Sequence, residues 1–338
     1  MISVDALVER GRRTWGRLDS RPELVNPLDV FTGVRRRFED FRLKEWVGFT
    51  LLHPEWAASM IIQDAKYLAT SEIYGFRRAT GELHEHAAAG RGSALLPVRL
   101  LDGGRCAFEA DGYRLAYSFA HDRHTITINI AESSAGPAFS GELELDATQS
   151  SPPLAVSSRL GGRLSMATMF TYKEIFPAAG ELLIAGSKIS FDPGRDFAIV
   201  DEHRSHLPYR TDWTWGTFAH RTSAGIVGAN FAARPQPRDA EEESCLWTPD
   251  ACEPLSTIIF TPLSRNRLAP VRVLSADGRL DLIFTPQGRK DARHQFVVAS
   301  MDYFQQPGTY RGLALSLDGT RHQLDDVPGV LERMHARL

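Results

Sequence analysis

The chain has 338 residues, 43% of them hydrophobic and 24% charged, which supports a substantial core and exceeds the length of one average domain. Its 39 basic and 42 acidic side chains give a net charge of −3 and are scattered along the chain, which argues against a nucleic-acid partner. The opening MISVDALVERGRRTWG lacks a signal-peptide apolar run, and no stretch approaches the ~18 apolar residues of a membrane span, so a cytoplasmic protein without a transmembrane segment is expected, with peripheral membrane contact left open.

In chain order, residues 1–40 read as an N-terminal helical segment. Short helices are expected over 2–18 and 27–41, because Pro27 suits a first helical position and Val30, Val34, Phe38 and Phe41 follow helical spacing. Arg35-Arg36-Arg37 and Arg77-Arg78 sit beside acids and read as solvated faces. From Phe41 onward turn signals recur at short intervals: His53-Pro54, Thr80-Gly81, Asp111-Gly112, Gly136-Pro137, Asp192-Pro193-Gly194, Asp277-Gly278, Pro307-Gly308 and Asp318-Gly319. The runs between them alternate apolar and polar residues, as in TITINIA at 125–131 and RLDLIF at 279–284. Such patterning predicts antiparallel hairpins and an all-β chain.

Composition shifts over TQSSPPLAVSSRLGGRLS at 148–165, which suggests a first β-barrel over 41–185 and a second over 186–338, with the tail VPGVLERMHARL closing as a short helix. Cys106, Cys245 and Cys252 form no CxxC pair, so neither a disulfide framework nor a zinc site is expected. His84 and His86 share a strand face, a spacing that arises often by chance, and no metal site is assigned to them.

The chemistry concentrates in DEHRSHLPYRTDWTWGTF at 201–218. A core strand normally spends its inward positions on aliphatic residues, because buried charge is costly unless paired. Read as strands, the segment places Asp201 and His203 on one face and Trp213 beside Trp215, with Arg210 in the intervening loop. The next strands add Asn230, Glu243 and Trp247. If these strands are neighbours in the second barrel, the residues surround one aromatic-walled pocket with an acid at its base. The alternative is a buried salt-bridge cluster, with Arg204 or Arg210 neutralising Asp201 and the tryptophans filling core volume.

RLKEW at 42–46, SFDPGRDFAIVDEHRSHLPYRTDWTWGTF at 190–218, VGANF at 227–231, ESCLW at 243–247 and GTYRG at 308–312 resemble the family catalogued as domain of unknown function 2804. More distantly, the order of these motifs is similar to that of the lipocalin-like carotenoid hydratase (hydroxyneurosporene synthase) proteins. That resemblance implies two lipocalin-like antiparallel β-barrels in tandem and an apolar, isoprenoid-type ligand. The distant motif pairs its aspartate with a tryptophan two or three positions on, whereas His203 and Arg204 follow Asp201 here.

A carboxylic acid desolvated by aromatic walls keeps its proton near neutral pH, and tryptophan faces stabilise developing positive charge. Asp201 or Glu243 is therefore a candidate general acid and His203 a candidate base, with Arg210, Trp213, Trp215, Asn230 and Trp247 as substrate-binding residues. Lys44 and Glu45 read as an intramolecular pair at a barrel mouth. No nucleotide-binding or nucleophile-elbow motif is present, and no cofactor is expected. Two functions follow: a cofactor-independent hydratase, isomerase or cyclase acting on an apolar isoprenoid- or lipid-like molecule, or a non-catalytic carrier of one. Oligomeric state cannot be read from the sequence.

Overall fold

The computed structural model describes residues 2–91, 94–161, 167–234, 241–295 and 300–337. Most of them lie in strands, nearly all of which belong to two large antiparallel sheets. The strands that position the site are β1 (Lys44–Leu52), β2 (Trp56–Asp64), β3 (Leu68–Arg77), β4 (Ala167–Ile184), β5 (Phe197–His206), β6 (Arg210–Thr222), β7 (Gly225–Ala233), β8 (Ser300–Leu315) and β9 (Arg321–Arg337). The first sheet runs from the 82–91 strand through β3, β2, β1, β5 and β4 to the strand at 105–110, and its two end strands come into contact. The second runs from 252–254 through β7, β6, β9 and β8 to 258–262, which packs back against β7. This is the expected all-β, two-barrel, lipocalin-like architecture.

Most turn pairs fall where the sequence puts them. Thr80-Gly81, Asp111-Gly112, Asp277-Gly278 and Asp318-Gly319 each separate two hydrogen-bonded strands. Pro307-Gly308 does not turn but lies inside β8, with Gly308 opposite Gly329 of β9. An added Cβ at Gly308 would sit 2.4 Å from the Thr285 carbonyl oxygen, so glycine serves close strand approach there.

Three further expectations are corrected. Residues 2–18 form short strands rather than a helix, and the N-terminal helix is confined to a 3₁₀ turn (Pro27–Val30) and α1 (Gly33–Arg42). The C-terminal tail is the central strand β9, hydrogen-bonded to β6 on one side and β8 on the other. Two ladders outweigh its helical propensity, and its alternation sends Val327 and Leu331 into the second barrel and Val330 outward beside Trp215. Finally, β5, expected in the second barrel, pairs with β1 and β4 in the first sheet, so the change of sheet falls between His206 and Arg210. Residues 162–166 of the expected composition break lie outside the described residues.

β5 is buried on both faces, which explains its unusual composition. Ala198 and Val200 join the first-barrel core, while Phe197 and Ile199 join a seam with Ile175, Ala219, Ile226, Cys245 and Trp247 drawn from both sheets. The barrels meet closely there. A Cβ on Gly228 would lie 2.6 Å from Ile175 Cδ1 across the seam and 2.7 Å from the Phe218 carbonyl oxygen, so glycine favours this approach. The charged residues follow the same alternation. Glu202 and Arg204 point into the first barrel, where Arg21 Nε and Arg204 Nε donate to Glu202 at 2.6 and 3.1 Å and Arg204 also bonds Glu45. Asp201 and His203 point the other way, toward the second sheet. Among the described residues no helix is long and apolar enough to cross a membrane.

Candidate functional site

A cavity of about 500 Å³ lies between the two sheets, beyond the apolar seam. It is therefore not the interior of the second barrel that the sequence suggested. The first sheet contributes Trp46 and Gly48 from β1, Lys173 from β4, and Asp201 and His203 from β5. The second contributes Trp213 and Trp215 from β6, Tyr303 and Gln305 from β8, and Glu332 and Met334 from β9. Phe49, Met60, Ile61, Met169 and Met301 supply apolar wall.

On the first-sheet side, register decides the chemistry. Asp201 sits directly across from Lys173 on one neighbour and Gly48 on the other, and His203 across from Thr171 and Trp46. Lys173 Nζ donates to Asp201 Oδ1 at 2.5 Å and lies 4.6 Å from the Trp215 ring centroid. His203 Nε2 is 2.9 Å from the same Oδ1, its Nδ1 is 3.2 Å from Thr171 Oγ1, and its ring stacks on Trp46 with centroids 4.5 Å apart. Trp46 Nε1 reaches Asp201 Oδ2 at 3.4 Å. The Asp201 side chain is 29% exposed.

Burial pushes the Asp201 carboxyl up, but Lys173 and His203 outweigh it and hold the group well below the usual carboxylate range. Asp201 is therefore a paired carboxylate and not the protonated acid that its aromatic setting suggested. Its partner is Lys173 rather than Arg204 or Arg210: Arg204 is committed to Glu202 and Glu45, and Arg210 is exposed at the cavity rim. Lys44 and Glu45 do not pair either. Glu45 bonds Lys66 and Arg204, while Lys44 Nζ donates to the Phe41 carbonyl at 3.1 Å.

On the second-sheet side stands Glu332. Trp213 Nε1 donates to its Oε1 at 2.9 Å, and Tyr303 Oη and Gln305 Nε2 donate to its Oε2 at 2.8 and 2.9 Å. Burial raises the Glu332 pKa, the Asp201 charge adds to the rise, and the three donors only partly offset it. The cavity thus holds two carboxyl groups driven in opposite directions.

The remaining candidates divide. Trp213 and Trp215 line the cavity, as does Glu243, whose Oε2 has no partner among the described residues. Burial acts to raise the Glu243 carboxyl, yet Arg234, Lys173 and His203 bring it below its ordinary value, so it too is held as an anion. Asn230 is fully buried behind the wall. It accepts from Trp215 Nε1 at 2.6 Å and donates to the Glu243 carbonyl at 2.9 Å, which fixes both. Trp247 is fully buried in the seam and does not reach the cavity.

Sequence patterning does not single out Lys173, Glu332, Tyr303, Gln305 or Trp46. Lys173 carries a usable signal, since a lone lysine in MFTYKEIF shares a strand face with Thr171 and Ile175 and must find an anion. Glu332 is hidden by the helical character of the tail.

The model of the family described as Domain of unknown function (DUF2804) matches residues 30–338. No curated protein matches the chain in sequence. Among solved structures, the kievitone hydratase from Nectria haematococca is similar at 13% identity and a TM-score of 0.47, over 96% of this chain and 97% of that one.

Proposed function

The chain belongs to the DUF2804 family, and from that premise we propose that it is an acid–base enzyme of hydratase or isomerase type acting on a small, largely apolar molecule held between the two barrels. The observation that carries this is the opposed pair of carboxyl groups in one aromatic-walled cavity: Asp201 fixed as an anion and Glu332 biased toward its protonated form.

Glu332 donates a proton to an alkene carbon or to a departing hydroxyl. Trp213, Tyr303 and Gln305 hold its two oxygens, so the geometry of donation is set before substrate arrives. Cationic character then develops on the substrate. The Asp201 carboxylate, a weak base at its lowered pKa, serves better as a fixed counter-charge than as a proton acceptor, and the indole faces add cation–π attraction worth about 0.5–2 kcal/mol per contact. Lys173 and His203 orient that carboxylate. Glu243, anionic and with one oxygen unpartnered, takes up the proton released by the attacking water or by the carbon beside the cation, and proton exchange with solvent then returns Glu332 to its acid form and Glu243 to its anion.

The test does not depend on the identity of the substrate. Small molecules that co-purify with the protein, together with a set of terpene-like alkenes and alcohols, are incubated with it in deuterium oxide and analysed by mass spectrometry. Deuterium incorporation, or gain or loss of water, is expected with the wild type and should fall about 10²–10⁴-fold in Glu332→Gln. A molecule that binds tightly and is never altered would sink the catalytic proposal in favour of a carrier.

A further inference from the structure

α1 presents its surfaces in the reverse of the usual order. Its apolar residues at helical spacing, Val34, Phe38 and Phe41, are 84%, 60% and 57% exposed, while its carboxylate Glu39 is 6% exposed and turned toward the protein. There Glu39 accepts from Arg42 at 2.9 Å, and the Glu39 carbonyl accepts from His206 Nε2 at 3.0 Å. A surface helix normally buries its apolar stripe.

The stripe is interleaved with cations. Over residues 33–44, Arg35, Arg36, Arg37, Arg42 and Lys44 stand beside Glu39 and Asp40; Arg42 pairs with Glu39 and Arg36 with Asp29 at 2.7 Å, while Arg35 and Arg37 have no carboxylate partner among the described residues. The Arg42 guanidinium lies 5.9 Å from the Phe38 ring, and Lys44 Nζ lies 6.0 Å from Phe41 and 5.0 Å from Tyr67. Phe41 and Tyr67, the latter 55% exposed, approach to 5.3 Å, and Tyr67 and Lys44 belong to the cavity rim. The apolar ridge therefore runs into the cavity mouth.

We propose that α1 and Tyr67 dock on an anionic lipid surface, with the mouth of the cavity facing that surface. Isolated aromatic and aliphatic side chains projecting beside arginines suit the headgroup boundary, where rings enter the acyl edge and guanidinium groups meet phosphates. A second copy of this chain fits poorly, because pairing the patch with itself would oppose arginine to arginine. The protein as a whole is net negative, so the attraction is local to this helix. The proposal is independent of the chemistry inside the cavity.

The test is flotation of the purified full chain with phosphatidylcholine vesicles, with and without phosphatidylglycerol. Binding to the anionic vesicles is expected, with weak binding to phosphatidylcholine alone and release by salt. Replacing Arg35, Arg36 and Arg37 by glutamine should weaken binding about fivefold per residue. Phe38→Ser combined with Phe41→Ser should weaken it at least about tenfold with the melting temperature unchanged, since both rings are already exposed. Failure of the wild type to bind anionic vesicles overturns the proposal, as does binding that the variants leave intact. So does a concentration-dependent dimer in sedimentation velocity that Phe38→Ser dissolves, which would make the face a contact between copies.

Discussion

The two sides of the cavity shift the same functional group in opposite directions. Asp201 faces a lysine across its own sheet, whereas Glu332 faces only neutral donors, an indole, a phenol and an amide. Both carboxyl groups are desolvated, so burial alone cannot distinguish them. What separates them is whether a cross-strand neighbour brings a full charge or a dipole: a full positive charge outweighs the cost of burial, and three neutral hydrogen bonds here do not. The pKa of a carboxyl group in such a cavity is thus set by its neighbours rather than by its aromatic surroundings.

The sharpest way to break this contrast is Lys173→Met. It leaves the Asp201 charge without its main partner and should cost about 3 kcal/mol, the low end for a broken buried pair because Asp201 is partly exposed. Adding Asp201→Asn should restore most of that loss in chemical denaturation. A double variant no more stable than Lys173→Met would mean that Asp201 is not held as an anion.

Smaller in size is the dependence on pH. A depressed folded-state pKa means that Asp201 contributes stability above its ordinary pKa of 3.8, and that this is lost as pH falls toward the folded value. Glu332 has the opposite sign: its raised pKa gives a contribution present below its ordinary value of 4.5 and lost as pH rises through the folded value. Melting curves from about pH 4 to pH 8 should therefore show Glu332→Gln gaining on the wild type as pH rises. The same comparison for Asp201→Asn, extended down to about pH 2, should show the variant falling further behind the wild type as pH rises toward 3.8 and running parallel to it above about pH 5. Parallel curves for Glu332→Gln and wild type would contradict a shifted Glu332.

Removing one of the donors that hold Glu332 refines the picture further. Trp213→Phe deletes the indole N–H, should cost about 1 kcal/mol, and should move the alkaline limb of any activity profile to higher pH, because the anionic form loses a hydrogen bond. The smallest effect belongs to Trp247→Phe. It perturbs the seam, yet should leave the affinity for a cavity ligand within about twofold while Trp215→Phe weakens it, as tryptophan-quenching titrations would show.

Much of the fold is legible in the sequence because turn chemistry is local. DG and TG pairs at φ-permissive positions punctuate alternating runs, and that information lies within a few residues of where it acts. Within the site, the cavity-facing positions of Asp201, His203, Trp213 and Trp215 follow from strand alternation. Three features are not legible. The tail from Val327, within β9, reads as a helix in isolation and becomes a strand only because β6 and β8 offer hydrogen bonds on both edges. β5 reads as the start of the second barrel and is instead a shared wall. Val34, Phe38 and Phe41 follow helical spacing, which predicts the helix but not that these side chains face outward.

The sequence by itself determined the strand periods, the turns, and which residues share a face. It thereby also determined that one short segment had to bury charge on both sides. Only the tertiary structure decided which partner each carboxyl group meets: Asp201 the Lys173 ammonium, 28 residues apart, and Glu332 the Trp213 indole, 119 residues apart. The reason is physical. Alternation is a property of one strand, whereas a carboxyl group's proton depends on register with strands distant in the chain, and that register is set by packing of the two barrels rather than by any local preference.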